Sequence, residues 1–298
     1  MSKASDKIVQ SALKIVPRRS ATRGHANHGW LKTYHTFSFA SYYDHNYEQF
    51  GSLRVINEDR VEPAEGFGKH SHREFEIFSY IVSGELEHRD SMGNLEIMKE
   101  GDVQMTSTGT GISHSEYNRN PSKPVHFLQI WAKPNQSSLP PKYYNRNFSR
   151  SSKLDKLVKV VAPLTPPRDA KSATEEEQVV DERLGTGPTP VHSNVTMFAS
   201  ILTPKSGVTL THVLAPGTKR AYLHSIMKSG YRSPNVEAGD KFEDGGAKLR
   251  VNSGLVLEEG DGAFITVNGK EGGEMERELK FENVGEREVE FLLFEMSD

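Results

Sequence analysis

Two short segments carry side chains able to hold a metal ion at matched spacing. In Gly66-Phe67-Gly68-Lys69-His70-Ser71-His72 the two imidazoles are two residues apart, and on an extended chain that separation turns both to one face. Gly109-Thr110-Gly111-Ile112-Ser113-His114-Ser115-Glu116 repeats the arrangement with His114 and Glu116. If the segments lie side by side as strands of one barrel, His70, His72, His114 and Glu116 can converge inside it with three nitrogens and one carboxylate oxygen. Such a set suits iron, manganese, cobalt, nickel, copper or zinc and does not choose among them. Glycine ahead of each pair lets the chain pass close to the site without a side chain filling it. The carboxylate stays open at this level. Glu74 and Glu76 share the parity of His70 and His72 if the strand runs on regularly, so either could replace Glu116.

Other candidates have plainer readings. His25 and His28 flank Asn27 and precede Gly29, which is turn chemistry, so a loop with hydrogen-bonded histidines is expected rather than a second ligand pair. Trp30, Tyr34, Phe37, Phe39, Tyr42 and Tyr43 could stack on a planar ligand, but Phe37 and Phe39 alternate as on one face of a strand, which predicts core packing. Pro17-Arg18-Arg19-Ser20 is too short for a nuclear signal or a nucleic-acid patch. No Gly-x-Ser-x-Gly nucleophile motif, P-loop or dinucleotide fingerprint occurs, which removes several enzyme classes.

The elements that must position these residues read as strands. Short β-branched and aromatic runs bounded by Gly, Pro, Asn or Asp recur, and no long stretch keeps a helical apolar period. Strands are predicted at 36–39, 52–57, 60–62, 76–82, 85–90, 95–98, 102–106 and 125–132, with turns at Ser83-Gly84, Met92-Gly93-Asn94 and Glu100-Gly101-Asp102. They resume at 195–202, 208–214, 220–227, 248–251, 262–267, 278–282 and 289–295. Between the two sets, 163–190 is rich in Pro, Gly, Thr and charge and holds the acidic run Glu175 to Glu177, so it is expected to be an exposed insertion.

The halves share a rhythm. Tyr80 to Gly84 lies against Ile226 to Gly230, and Glu100-Gly101-Asp102 against Glu259-Gly260-Asp261, provided an extra loop is allowed around 236–247. The expected class is all-β: two tandem barrels with few short helices, 1–144 with the metal site and 145–298 without ligands. In this register His70 and His72 fall opposite Pro216 and Thr218, neither able to ligate through its side chain, so one metal per chain is expected.

Composition narrows the chemistry. The chain has 298 residues, room for two units of ordinary domain size. With 37 Lys and Arg against 40 Asp and Glu the net charge is −3, so no overall positive field exists to hold a phosphate backbone and direct nucleic-acid binding is not expected. No run of about 18 apolar residues appears, so no membrane partner is expected, and Met1 to Gln10 lacks the apolar core of a secretory signal. With 0 Cys, imidazole and carboxylate are the strong ligands available. A cytoplasmic or nuclear setting fits.

The paired segments 66–84 and 101–118 resemble the two motifs of cupins, and more closely the pirin family, including its bacterial members with quercetin 2,3-dioxygenase activity. Arg23 to Trp30, Thr36 to Phe39, Leu53 to Asn57 and Gly109 to Asn118 carry the likeness, which is specific over about residues 20–132 and diffuse after about 145. The resemblance implies a cupin double barrel and takes the Glu two residues after the second-motif His as fourth ligand. That favours Glu116 over Glu76, the choice of the general cupin pattern. It further implies a divalent ion, iron(II) first among the candidates, and a flavonol-like substrate. On that reading O2 adds across the 2,3 bond with release of carbon monoxide, and Glu116 is the catalytic proton acceptor. Eukaryotic pirins suggest the alternative, a nuclear iron protein with a transcription-factor partner and no turnover. The segment 163–190 looks longer than in compact bacterial members.

Overall fold

The computed structural model describes residues 12–164, 179–204, 207–231, 246–252, 254–268 and 277–297. The first half supplies β1 (Leu13–Arg18), β2 (Gly24–Asn27), β3 (Leu31–His35), β4 (Leu53–Val61), β5 (Gly66–His72), β6 (Glu76–Ser83), β7 (Glu85–Asp90), β8 (Leu95–Lys99), β9 (Asp102–Ser107), β10 (Ile112–Tyr117), β11 (Val125–Ala132) and β12 (Lys142–Asn147). After the one-turn helix α1 (Arg150–Lys153) come β13 (Val158–Pro163), β14 (Thr189–Val191), β15 (Val195–Leu202), β16 (Thr209–Val213) and β17 (Arg220–Ser225). β18 (Lys248–Val251), β19 (Leu255–Glu258), β20 (Gly262–Val267), β21 (Glu278–Asn283) and β22 (Val289–Met296) complete the order.

The class is all-β, and the strands form two barrels of one plan. Each pairs a seven-stranded sheet with a four-stranded one: β12-β9-β6-β11-β4-β3-β2 faces β5-β10-β7-β8, and β1-β20-β17-β22-β15-β13-β14 faces β16-β21-β18-β19. One strand departs from the repeat. β1 lies where β12 lies in the first barrel and pairs with β20 from Leu13↔Val267 to Arg18↔Gly262, so the chain's first described strand closes the second barrel. The expected division at 144/145 also falls inside β12, which pairs with β9.

The same topology revises the expected register. β16 occupies the place of β5, and the link from β16 to β17 is longer than that from β5 to β6. Pro216 and Thr218 therefore fall in that link and not on a strand, and the half-buried residues of β16 are Leu210 and His212, the latter with Nε2 2.5 Å from Glu295 Oε1. Across from them on β21, Leu279 and Phe281 are buried in the second barrel's apolar core.

Successive residues on a strand face opposite ways, and the central strands use both faces. On β4, β6 and β11 one face packs against the other barrel: Ile56, Tyr80, Leu128 and Ile130 join Met197, Tyr222, Leu292 and Phe294 in one buried cluster. Glu58 shares that face. Its carboxylate accepts hydrogen bonds from His126 Nε2 and His224 Nε2, each at 3.0 Å, and from Met227 N at 2.6 Å, tying β4 to β17 and the turn beyond it. Burial alone would raise the Glu58 carboxyl, but the bonds from His126 and His224 outweigh it and hold the group well below the usual carboxylate range.

Part of the expected insertion, 165–178, and most of the expected loop at 236–247 lie outside the described residues. The described end of the insertion docks on the first barrel. Arg146 donates to the carbonyls of Val180, Glu182 and Arg183, and Tyr144 Oη donates to Asp181 Oδ1 at 2.6 Å.

Candidate metal centre and cavity

β5 and β10 are antiparallel neighbours, with His70 directly opposite His114 and His72 opposite Ile112. Glycine makes the approach possible. A Cβ on Gly66 would stand 2.3 Å from the Glu116 carbonyl oxygen, and one on Gly109, in the turn before β10, would meet the Leu139 carbonyl oxygen at 1.9 Å. The structure thus brings together three of the four residues singled out by spacing. The ligand atoms of His70, His72 and His114 lie within 4.8 Å of one another, and the ring centroids are 4.5–4.9 Å apart.

The imidazoles are arranged as ligands. His70 Nδ1 lies 2.8 Å from the Gly68 carbonyl oxygen, which can only accept, so Nδ1 carries the proton and Nε2 presents a lone pair. That lone pair meets His114 Nε2 at 3.1 Å. Two nitrogens each about 2.0–2.1 Å from one ion are separated by about this much when they bind side by side. Burial, with the positive potential of neighbouring imidazoles, lowers His114 to about 2 and His72 to about 4, so at neutral pH both stay uncharged. The donor set therefore fits a borderline divalent ion.

Glu116 sits differently. A register shift between His114 and Glu116 places it opposite Phe67 on β5 and opposite His88 on β7, and its carboxylate groups with His88 and His114 rather than with the His70–His72 pair. It is oriented by a short chain: Trp131 Nε1 donates to Gln129 Oε1 at 3.2 Å, and Gln129 Nε2 donates to Glu116 Oε2 at 3.1 Å. Full burial raises the Glu116 carboxyl above its ordinary value, against the pull of His88, His70 and Gln129. The alternatives are engaged elsewhere, because the turn between β5 and β6 ends the parity on which they rested. Glu74 has φ +58° and accepts from Ser138 N, while Glu76 accepts from Ser107 Oγ at 2.6 Å and from His192 N at 3.0 Å.

Beside the histidines opens a cavity of about 520 Å³, lined by His70 and His72, by Trp30, Phe39, Phe67 and Trp131, and by polar groups of β3, β4 and β11. The aromatic cluster is thus divided. Phe37 is core, against Tyr222 and Phe264, whereas Phe39 packs on His35 and Trp131 at the cavity. The predicted strand at 36–39 is absent, which removes the alternation that would have put both rings on one face. His28 also lines the cavity, and Asn27 Oδ1 accepts from Gly29 N in the expected turn.

The spacing of motifs did not reveal Asp59. It lies on β4, buried, beside Thr33 in the cavity wall, and its Oδ1 makes no hydrogen bond. Burial, reinforced by the charges of Glu116 and Glu58, raises its carboxyl to about 7. The available signal was the acidic pair Glu58-Asp59 in a strand that is otherwise mixed, with Leu53, Val55, Ile56 and Val61 as its apolar residues. His88 escaped for the same reason: it stands alone on β7 and belongs to no spaced pair.

A sequence model described as Pirin matches residues 16–132. A "Pirin-like protein" of Caulobacter vibrioides is 36% identical over 185 residues, covering 62% of this chain and 79% of the relative. The chain belongs to the pirin family. A protein of Escherichia coli K12 named quercetin 2,3-dioxygenase is 50% identical over 134 residues, 45% of this chain; the match spans only 58% of that relative. The crystal structure of the bacterial pirin YhhW of Escherichia coli in complex with nickel(II) superposes with a TM-score of 0.71 at 30% identity, covering 95% of this chain and 99% of that one. These pirins are bacterial and lend no support to a nuclear setting. Among the described residues no helix is long and apolar enough to cross a membrane.

Proposed function

We propose that this pirin is a metal-dependent oxidoreductase that opens a flavonol-type ring with O2, a quercetin 2,3-dioxygenase activity. One observation carries the reading: three imidazoles with their nitrogens gathered at the edge of an aromatic-walled cavity of about 520 Å³. That volume lies within the range of roughly 300–1,000 Å³ typical of small-molecule sites. His70, His72 and His114 would hold the ion, with Glu116 beside His114. Bound there, a divalent transition metal would supply Lewis acidity toward a substrate oxygen and redox partnership for O2. Iron(II) is our first choice.

The chain's own residues supply the rest. Trp30, Phe39, Phe67 and Trp131 form walls suited to a flat polycyclic substrate and keep water from its faces. His35 Nδ1 lies 2.8 Å from Asn57 Oδ1, a fixed polar pair in the wall; burial lowers this histidine to about 4, so it is a neutral hydrogen-bonding group. Glu116, raised by burial and held through Oε2 by Gln129, is the acceptor for a substrate hydroxyl proton. The test is oxygen uptake with quercetin by metal-free protein reloaded with iron, manganese, cobalt, nickel or copper in turn. Uptake with at least one ion supports the proposal, and none with any ion rejects the flavonol substrate.

A further inference from the structure

His88 is a fully buried histidine for which the proposed reaction has no use. It lies on β7, on the strand edge of β10 opposite to β5, directly across from Glu116. Its Nε2 donates to Asp90 Oδ2 at 3.3 Å. Asp90 is itself fixed: its carboxylate accepts from Met92 N, Asn94 N and Asn94 Nδ2 at 2.8–3.0 Å. With the proton held on Nε2, Nδ1 of His88 is a lone pair, and it has no hydrogen-bond partner among the described residues. A buried imidazole anchored through one nitrogen by a carboxylate, with the other nitrogen unused, is how proteins prepare a metal ligand. The side chains that could share an ion with it are at hand. The ligand atoms of His88, His114 and Glu116 lie within 4.8 Å of one another, and the His88 and His114 rings are 5.1 Å apart.

We infer that the centre has a second, inner metal position formed by His88, His114 and Glu116, with Asp90 as its orienting partner. The inference rests on the metal-dependent reading above. The outer position, on His70, His72 and His114, has three imidazoles and borders the cavity. The inner one has two imidazoles and a carboxylate and lies deeper, with all three donors buried. His114 is common to both, and a neutral imidazole has one lone pair, so one ion occupies one position at a time. The inner donor set is harder, because a carboxylate replaces an imidazole, and it favours manganese or iron over copper relative to the outer set.

The two positions separate by mutation. Cobalt(II) is titrated into metal-free full-length protein, followed by its visible absorption and by equilibrium dialysis. Wild type, His70→Ala/His72→Ala and the same double variant with His88→Gln are compared, with far-ultraviolet circular dichroism confirming that each is folded. The double variant is expected to retain one cobalt per chain with an altered spectrum, and His88→Gln in that background to weaken binding at least about 10-fold. Asp90→Asn in the double variant should weaken it by about 10- to 100-fold through loss of the orienting bond. A folded double variant that binds no more cobalt than folded His114→Ala, while wild type binds one ion, overturns the inner position and leaves the proposed function standing. Wild type binding no ion overturns both.

Discussion

At the scale of single residues, two buried carboxyl groups near the cavity have separate duties. Glu116 is raised by burial and oriented by Gln129, and Glu116→Gln keeps its shape while removing its ability to take a proton. General-base contributions are typically about 100- to 10,000-fold. Oxygen uptake with quercetin, normalised to bound metal, should fall within that range, and equal turnover per metal would assign the base to another group. Asp59 leaves a mark on stability. Its folded value of about 7 lies above the roughly 3.9 of an unfolded Asp, so between these limits the unfolded chain has released a proton that the folded protein keeps. Its contribution is full below about pH 4 and is lost as pH rises to about 7. Asp59→Asn should remove that loss, on the order of 1.4 kcal/mol per unit. Urea melts of metal-free protein at pH 5 and pH 8 should therefore show the variant gaining on wild type at the higher pH. Of these residues, spacing singled out His70, His72 and His114 and left Glu116 one of three candidate carboxylates, which the pirin resemblance then favoured, because a repeated gap on extended chain is a local property. Asp59 and His88 matter only through what lies across from them on other strands, and one sequence does not display that.

At the scale of elements, β7, β11, β15, β18 and β20 fall where apolar alternation and turn residues place them. β1, β12 and β14 were not anticipated, because their residues are charged, proline-containing or polar and gain strand form by pairing with a strong neighbour. The single strand β4 was read as two pieces, since its buried acidic pair imitates a turn. The clearest structural demand is at the turn into β10. Gly109 has φ +44° and the Leu139 carbonyl oxygen stands where a Cβ would go, so Gly109→Ala must move backbone. We expect a loss of roughly 2–4 kcal/mol in chemical denaturation, with weaker metal binding because His114 is carried by the displaced strand. Unchanged stability would mean that the turn has slack which its contacts do not show.

At the scale of the whole molecule, the barrels share one apolar seam and the Glu58 network, and the chain crosses between them twice, through β1 and through the return from β12. Many buried imidazoles make this assembly acid-sensitive. His35 and His72 are lowered to about 4, His114 to about 2, and His126 and His224 are also lowered, all chiefly by burial. Unfolded histidine takes a proton near 6.5, so stability is full above that value and is lost as pH falls toward the folded values. Metal-free protein should lose on the order of 1–2 kcal/mol per such histidine by pH 5, seen as a falling urea midpoint, and a flat midpoint from pH 8 to pH 5 would contradict the burial account. The repeat of two barrels was legible in the sequence through Glu100-Gly101-Asp102 and Glu259-Gly260-Asp261, which both precede matching strands, β9 and β20. The exchange of β1 was not, because strand order is decided by pairing between distant parts of the chain, from Leu13↔Val267 to Arg18↔Gly262. The account stands on a metal centre confined to the first barrel. Anomalous diffraction from crystals of protein purified without added metal, collected on either side of the absorption edge of the ion found by elemental analysis, tests it directly. It should show one peak per chain, within coordinating distance of His114 and either the His70–His72 pair or His88 and Glu116; a peak only in the second barrel, or none in crystals soaked with divalent metal, would contradict it.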